Sequence, residues 1–386
     1  MKIQTGSPVR GDDFFKRNRL IEQAWELIET GNHVLIAAPR RVGKTSLMYY
    51  LLDNPRDHYN LIYYITESVN NENEFFRRII NRILKTDFIK RSQKVLTFLK
   101  QHKPTITKIG ADGVEFGVSE DHDYYEMLST ILRSISKESD KLVVMIDEFP
   151  ETLENITKDN GETTGRHFLQ SNRELRQDAY ISQNVRFVYT GSIGLENIVS
   201  ELNAVNTIND LSRLKIPPLS SDEAKLMIAL LMKNVRFELS EKLVEYILQE
   251  IEWLIPFYIQ LVIEELRNVY RDDGLSEVTK QTIDKAIHGM LEHRNHFEHW
   301  HTRLRTTFES RDYNFVKEIL NLVSENGHIH SNEIYNLAVK HEKTETYKDY
   351  VGSLVYDGYI NNHDDPKVYR FNSPILRMWW RQNVAN

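Results

Sequence analysis

The octapeptide Ala38-Pro39-Arg40-Arg41-Val42-Gly43-Lys44-Thr45 constrains this chain more than any other feature. It follows a short apolar run, His33 to Ala37, that reads as a buried parallel strand, and it precedes a helical stretch from Lys44 to Leu52. The wording is G-x-x-x-x-G-K-[ST] with Ala38 in place of the first glycine. Such a loop cradles phosphates with its backbone N–H groups, and the dipole of the following helix adds positive potential. Gly43 allows close backbone approach, Lys44 reaches the β- and γ-phosphates, and the Thr45 hydroxyl suits Mg²⁺. Alanine at position 38 requires that residue to avoid a positive φ. Residues Ala38 to Thr45, with Ser46 behind them, are the expected nucleotide-binding set.

A second signal is Val143-Val144-Met145-Ile146-Asp147-Glu148, an apolar run ending in two acids. A strand of this kind delivers Asp147 to the magnesium shell beside the phosphate loop and leaves Glu148 to polarise the attacking water. The third is Phe187-Val188-Tyr189-Thr190-Gly191-Ser192, where Thr190 or Ser192 at a strand end could sense the γ-phosphate. Ser192 as an ordinary helix cap is the plainer alternative.

Helices alternate with strands around these motifs. A helix is expected over 19–30 and another over 122–137. Strands are expected at Leu61 to Thr66, Val185 to Tyr189 and Leu214 to Ile216, the last stopped by Pro217 and Pro218. Ile106 to Val118, alternating around Asp112-Gly113, reads as a hairpin. The polar stretch Asn155 to Gly165, with two glycines, reads as a flexible loop, followed by a helix over 166–180. This is a doubly wound α/β domain spanning 1–218. Residues 219–290 read as a helical lid, 291–311 as a connecting helix, and 312–386 as a winged helix with its wing around His363-Asp364-Asp365-Pro366.

At 386 residues the chain has room for about two to three domains. It has no cysteine, which excludes disulfides, thiolate nucleophiles and zinc fingers. The longest unbroken apolar run, Leu226 to Met232, is far short of the ~20 residues of a membrane span. No hydrophobic signal core opens the chain, so a cytoplasmic protein without membrane contact is the default. There is no G-x-S-x-G and no H-E-x-x-H, which argues against hydrolases and proteases of those types. His293, His296 and His299 sit in a histidine-rich stretch, read as a solvated linker helix rather than a metal site.

The net charge is −7. Residues 73–103 carry nine Lys/Arg against two Asp/Glu, a local +7, which reads as a solvated helix face or a nucleic-acid contact. Residues 312–386 carry eight Lys/Arg against ten Asp/Glu, a net −2. That balance disfavours phosphate contact by the winged helix and leaves a protein partner at least as plausible as DNA.

In order and wording, these motifs resemble the archaeal-type ATPase family, in the STAND group of P-loop NTPases related to AAA+ proteins. The segments that carry the resemblance are APRRVGKTSLM, VVMIDEFPE, YTGSIGL, LKIPPLSSDEA and YRFNSPILRMWW. The resemblance implies an ASCE/AAA+-like parallel sheet, an α-helical lid, a C-terminal winged helix, ATP binding, Mg²⁺ use and switching between nucleotide states. It also makes Arg17, in Phe14-Phe15-Lys16-Arg17-Asn18, a candidate contact near the base, with Lys16 and Asn18 departing from the family's glycine and acid. Pro256, in Trp253-Leu254-Ile255-Pro256, corresponds to a lid proline, with Leu254 where the family has glycine; it could begin a helix. Arg213 stands where related ATPases often keep an arginine finger in a homo-oligomer, with a surface ion pair as the alternative and Arg173 and Arg176 as weaker rivals.

The expectation is therefore a slow Mg-dependent ATPase, acting as a nucleotide-controlled switch that engages an unidentified protein partner through its C-terminal domain. The alternative is a DNA-associated winged-helix protein in which ATP is regulatory or structural.

Overall fold

The computed structural model describes residues 1–86, 106–110, 113–116, 123–135, 140–192, 195–293, 296–308 and 310–385. They form two compact units. One comprises Lys16–Ala38 and Lys44–Ile216; the other comprises Met1–Phe15, Pro39–Gly43 and Pro217–Asn386.

The first unit contains strands β1 (His33–Ala38), β2 (Tyr59–Ile65), the antiparallel hairpin β3 (Ile106–Gly110) and β4 (Gly113–Phe116), then β5 (Lys141–Asp147), β6 (Val185–Ser192) and β7 (Leu211–Arg213). Five of these make a parallel sheet in the order β2-β5-β6-β1-β7. Its helices are α1 (Asn18–Glu29), α2 (Lys44–Asp53), α3 (Glu72–Leu84), α4 (Tyr124–Ile135), α5 (Phe149–Asn160), α6 (Glu162–Gln177), α7 (Ile181–Asn184) and α8 (Leu195–Glu201). Leu142 to Ile146 of β5 are wholly buried. A strand covered on both faces has to read as an unbroken apolar run, and this one does. Helix α1 buries Leu20, Ile21, Ala24, Trp25 and Ile28 at helical spacing. The Asn71 side chain accepts from the Glu74 N–H to start α3, which buries Phe75 and Phe76. Phe75, Phe149 and Phe168 form a ring cluster with centroids 4.8 to 6.1 Å apart, the spacing at which aromatic pairs attract.

Two expectations fail here. Asn155 to Gly165 is no loop. It is the end of α5 and the start of α6, separated only by Gly161 at φ 86°. The polar residues are the outer faces of two amphipathic helices that bury Leu153 and Ile156, then Phe168 and Leu169. Gly165 is needed for packing, since a Cβ there would lie 2.3 Å from Thr157 Oγ1. The fifth strand is Leu211–Arg213 rather than 214–216. One further contact continues along β1, from the Leu214 N–H to the Leu35 carbonyl at 3.0 Å. The basic stretch falls partly on α3, where Arg78 donates to Tyr64 Oη at 2.8 Å; its part beyond residue 86 lies outside the described residues.

The second unit continues with α9 (Ser221–Met232), α10 (Glu241–Ile251), α11 (Pro256–Asp272), α12 (Lys280–Glu292) and α13 (Glu298–Thr307). Ser220 and Glu223 cap α9 reciprocally. Within the stretch 291–311, expected as a connecting helix, the described helix is the shorter α13. Then follow α14 (Ser310–Asn326), β8 (Ile329–His330), α15 (Ser331–Lys340), α16 (Tyr347–Tyr356), β9 (Ile360–Asn361), β10 (Val368–Phe371) and α17 (Pro374–Asn383). The three strands pair antiparallel in the order β8-β10-β9. Trp380 is fully buried and donates from Nε1 to Asn321 Oδ1 at 2.9 Å, which ties α17 to α14. No helix among the described residues is long and apolar enough to cross a membrane.

Candidate nucleotide-binding site

In the unit that holds the sheet, Lys44 and Thr45 open α2, and Asp147 ends the buried strand β5. Lys44 is 6% exposed, and its Nζ donates to the Ala38 carbonyl at 2.7 Å. The Thr45 hydroxyl donates to Asp147 Oδ2 at 2.8 Å. Thr190, fully buried on β6, donates from its hydroxyl to Asp147 Oδ1. The sheet order explains the meeting: β5 and β6 are neighbours and β6 pairs with β1, so the ends of three parallel strands carry these groups to one edge. Of the two sensor candidates, Thr190 reaches Asp147. Ser192, whose side chain lies outside the described residues, is in register with Ala38.

Asp147 is 1% exposed, and a carboxylate buried that deeply requires donors. It has two more. Tyr63 Oη donates to Oδ2 at 2.8 Å, and the Glu148 N–H donates to Oδ1 at 3.2 Å. The Tyr63 phenol has its pKa pushed up, by burial first and then by the Asp147 charge, so it stays a donor. Behind the site, the Thr66 N–H and hydroxyl both donate to the Asp147 carbonyl, at 3.0 and 2.9 Å. Glu148 sits in the left-handed region at φ 59°, ψ 39°, a conformation that costs a residue with a Cβ about 1 kcal/mol or more.

Residues Pro39–Gly43 belong to the other unit. Ala38 ends β1 in extended pairing, and the positive φ values of the loop fall on Arg41 (66°) and Gly43 (100°). For glycine this is free; for Arg41 it is strained, and the sequence carries no sign of it. Arg41 is held by its surroundings. Its guanidinium stacks 4.1 Å from the centroid of the Phe257 ring and donates to the Thr5 carbonyl at 3.2 Å. Burial pulls its pKa down. Phe257 is the second residue of α11, and Pro256 is its first, as expected of a proline at a helix start. Pro39 lies against Gly358, where an added Cβ would be 3.0 Å from Pro39 Cγ. His299, on α13, has its pKa driven down to about 3 by burial, then by Arg41 and Arg40. Burial drives Asp357 up to about 6, with Arg303 at 3.6 Å opposing.

The remaining candidates are more peripheral. Arg17 is buried at the N-terminus of α1, and its carbonyl accepts the Ile21 N–H. Arg213 ends β7, its side chain is 56% exposed, and it forms an ion pair with Glu196. Arg176 is not available as its rival: its side chain is 2% exposed and bound to Asp210 at 2.8 Å. Among the described residues no group of three or more His, Cys, Asp or Glu is placed to hold a metal ion.

Whether the residues suit Mg²⁺ is decided by the donor set. Thr45 Oγ1 and Asp147 Oδ2 are hard oxygen donors 2.8 Å apart. Mg²⁺ prefers one or two protein oxygens, with substrate phosphates and water completing its octahedron, so the pair fits.

Residues 15–193 match the family described as predicted AAA-ATPase. The fold is similar to that of the Walker-type ATPase PABY2304 of Pyrococcus abyssi, at 17% identity and a TM-score of 0.67, over 99% of this chain and 100% of that one. It is also similar to the ORC2 protein of Aeropyrum pernix in ADPNP–ADP complexes, at 11% identity and a TM-score of 0.53, over 94% and 93%. No curated protein matches. With its five-stranded parallel sheet and helical C-terminal region, the chain thus matches P-loop AAA+ ATPase folds.

Proposed function

We propose that this chain is a Mg²⁺-dependent ATPase that works as a nucleotide-controlled switch. The observation that carries the reading is the Thr45–Asp147 hydrogen bond beside the buried Lys44. A bound Mg²⁺ would neutralise charge on the β- and γ-phosphate oxygens. Lys44 supplies a positive charge at the start of α2, where the helix N-terminus already favours anions. Thr45 and Asp147 offer their oxygens to the cation, and Thr190 keeps Asp147 oriented. Glu148 would take the proton of the water that attacks the γ-phosphorus, as ADP departs and inorganic phosphate forms. Turnover by a chain on its own, without an arginine from a second copy, is expected to be slow. In this reading Arg213 acts toward a second copy of the chain.

The partner-binding part of the proposal rests on the four helices and three-stranded antiparallel sheet from residue 310 onward, which we read as a winged helix. Its net charge of −2, eight basic against ten acidic residues, suits a protein partner better than a phosphate backbone. For a switch, ATP and ADP must bind two conformations with different affinities. The test is fluorescent-ATP binding and phosphate release by the wild type and by Lys44→Ala. Binding that falls at least 100-fold in the variant is expected; equal binding would exclude the loop as the nucleotide site.

A further inference from the structure

Asp147 Oδ2 accepts two hydrogen bonds, and they differ in kind. The Thr45 hydroxyl, at 2.8 Å, belongs to a residue that the proposed reading places on the cation itself. The Tyr63 hydroxyl, also at 2.8 Å, does not. It comes from the middle of β2, whose Tyr63 is in register with Met145 on β5, two residues before Asp147. Among the described residues Tyr63 is therefore the only side-chain donor to Oδ2 that would hold it independently of the cation. Its ring is 8% exposed and packs edge-on against Tyr49 of α2, with centroids 4.9 Å apart. The phenol is thus braced from the helix that carries Lys44 and Thr45. Its neighbour Tyr64 instead meets Arg78 of α3 at 2.8 Å, as strand alternation requires.

We infer that Tyr63 is a positioning residue for the metal-binding carboxylate: its hydroxyl fixes Asp147 Oδ2 at the place where the divalent cation of the nucleotide complex is held. This deepens the ATPase reading and rests on it. Outer-shell hydrogen bonds to metal-binding carboxylates orient them, and their loss typically weakens metal affinity about 10–100-fold. Tyr63→Phe removes the hydroxyl and keeps the ring, so the edge-on ring packing against Tyr49 and the β2 core remain.

The experiment measures Mn²⁺ binding by electron paramagnetic resonance in the presence of ADP, and ADP binding in EDTA, for wild type, Tyr63→Phe and Tyr64→Phe. The expected result for Tyr63→Phe is Mn²⁺ affinity lower by about tenfold, with metal-free ADP affinity within about twofold of wild type. Tyr64→Phe, which loses a hydroxyl from the other face of the same strand, should change neither. Mn²⁺ affinity within about twofold in Tyr63→Phe, or an equal loss of metal-free ADP binding, overturns the assignment. A wild type with no metal-dependent nucleotide binding overturns the ATPase reading and this inference with it. Should Tyr63→Phe fail to fold, fluorotyrosine labelling decides. The ¹⁹F resonance of a fluorotyrosine incorporated site-specifically at position 63 should move when Mg²⁺ is added to the ADP complex. A resonance that stays in place overturns the inference.

Discussion

The Thr45 hydroxyl and Asp147 Oδ2 lie 2.8 Å apart although 102 positions separate them in the chain. That bond joins the helix after the phosphate loop to the end of the most deeply buried strand. The strand is rigid, with five consecutive residues fully buried, so the carboxylate is held by the core and needs no ligand to bring it into place. Pre-organisation of this kind lowers the reorganisation that a metal–nucleotide complex must drive on binding.

Glu148 follows Asp147 directly and turns the chain from β5 into α5 through a left-handed residue. Glu148→Gln keeps the size and hydrogen-bonding reach of the side chain and removes its basicity. ATP affinity should stay within a few-fold while phosphate release falls by about two orders of magnitude, the scale of lost general-base catalysis. Unchanged turnover would take Glu148 out of the mechanism. The backbone gives a second readout. Glu148→Gly should be more stable to denaturant than Glu148→Ala by about 1 kcal/mol, the reverse of the usual order, because only glycine is unstrained at φ 59°.

Stability in acid should depend on His33. Its Nδ1 accepts the Phe187 N–H at 3.1 Å and its Nε2–H donates to the Arg176 carbonyl at 3.0 Å, which a neutral ring satisfies and a protonated one does not. Burial, then the Arg176 charge, lowers its pKa from 6.5 to about 4. The unfolded chain takes up the proton near pH 6.5 and the folded chain only near pH 4, so stability present above 6.5 is lost as pH falls through that window. The loss amounts to about 3 kcal/mol. His33→Gln offers a similar donor and acceptor without a titrating group. Its melting temperature should fall less between pH 6.5 and 4 than that of the wild type; parallel curves would exclude His33 as the source.

Much of this was legible in the residues. The apolar run before Asp147 announces a strand covered on both faces, and the loop from Ala38 to Thr45 announces its own neighbours. Other parts depended on contacts that leave no local trace. Asn155 to Gly165 looks like a loop because Ile156 is its one apolar residue, yet α5 is anchored by Phe149, Pro150 and Leu153 upstream together with Ile156. Leu214 and Ile216 are buried like strand residues, but Pro217 ends the run, and the pairing lies three positions earlier. Tyr63 and Tyr64 stand side by side in the sequence, and nothing local tells which hydroxyl will meet a carboxylate. Only the pairing of β2 with β5 decides it. Gly191 is a related case: a Cβ there would lie 2.2 Å from Pro150 Cδ, a constraint set by a helix forty residues away.

The last expectation concerns Arg213. It ends the edge strand β7, its side chain is 56% exposed, and it pairs with Glu196 within its own unit. An exposed ion pair of this kind contributes about 0–1 kcal/mol, so little holds the guanidinium where it is. An edge-strand arginine that can leave its carboxylate cheaply is suited to reach the nucleotide of a neighbouring copy, where such a residue can raise turnover by several orders of magnitude. If it acts this way, activity per subunit should rise with protein concentration. Arg213→Ala and Lys44→Ala, each inactive alone, should regain part of the turnover when mixed, since each retains the half-site that the other lacks. Activity independent of concentration, together with a mixture that stays inactive, would assign Arg213 to its pair with Glu196 alone. Glu196→Gln separates the two roles further: releasing the arginine should leave turnover intact or raise it if Arg213 works in trans, and should only lower stability slightly if it does not.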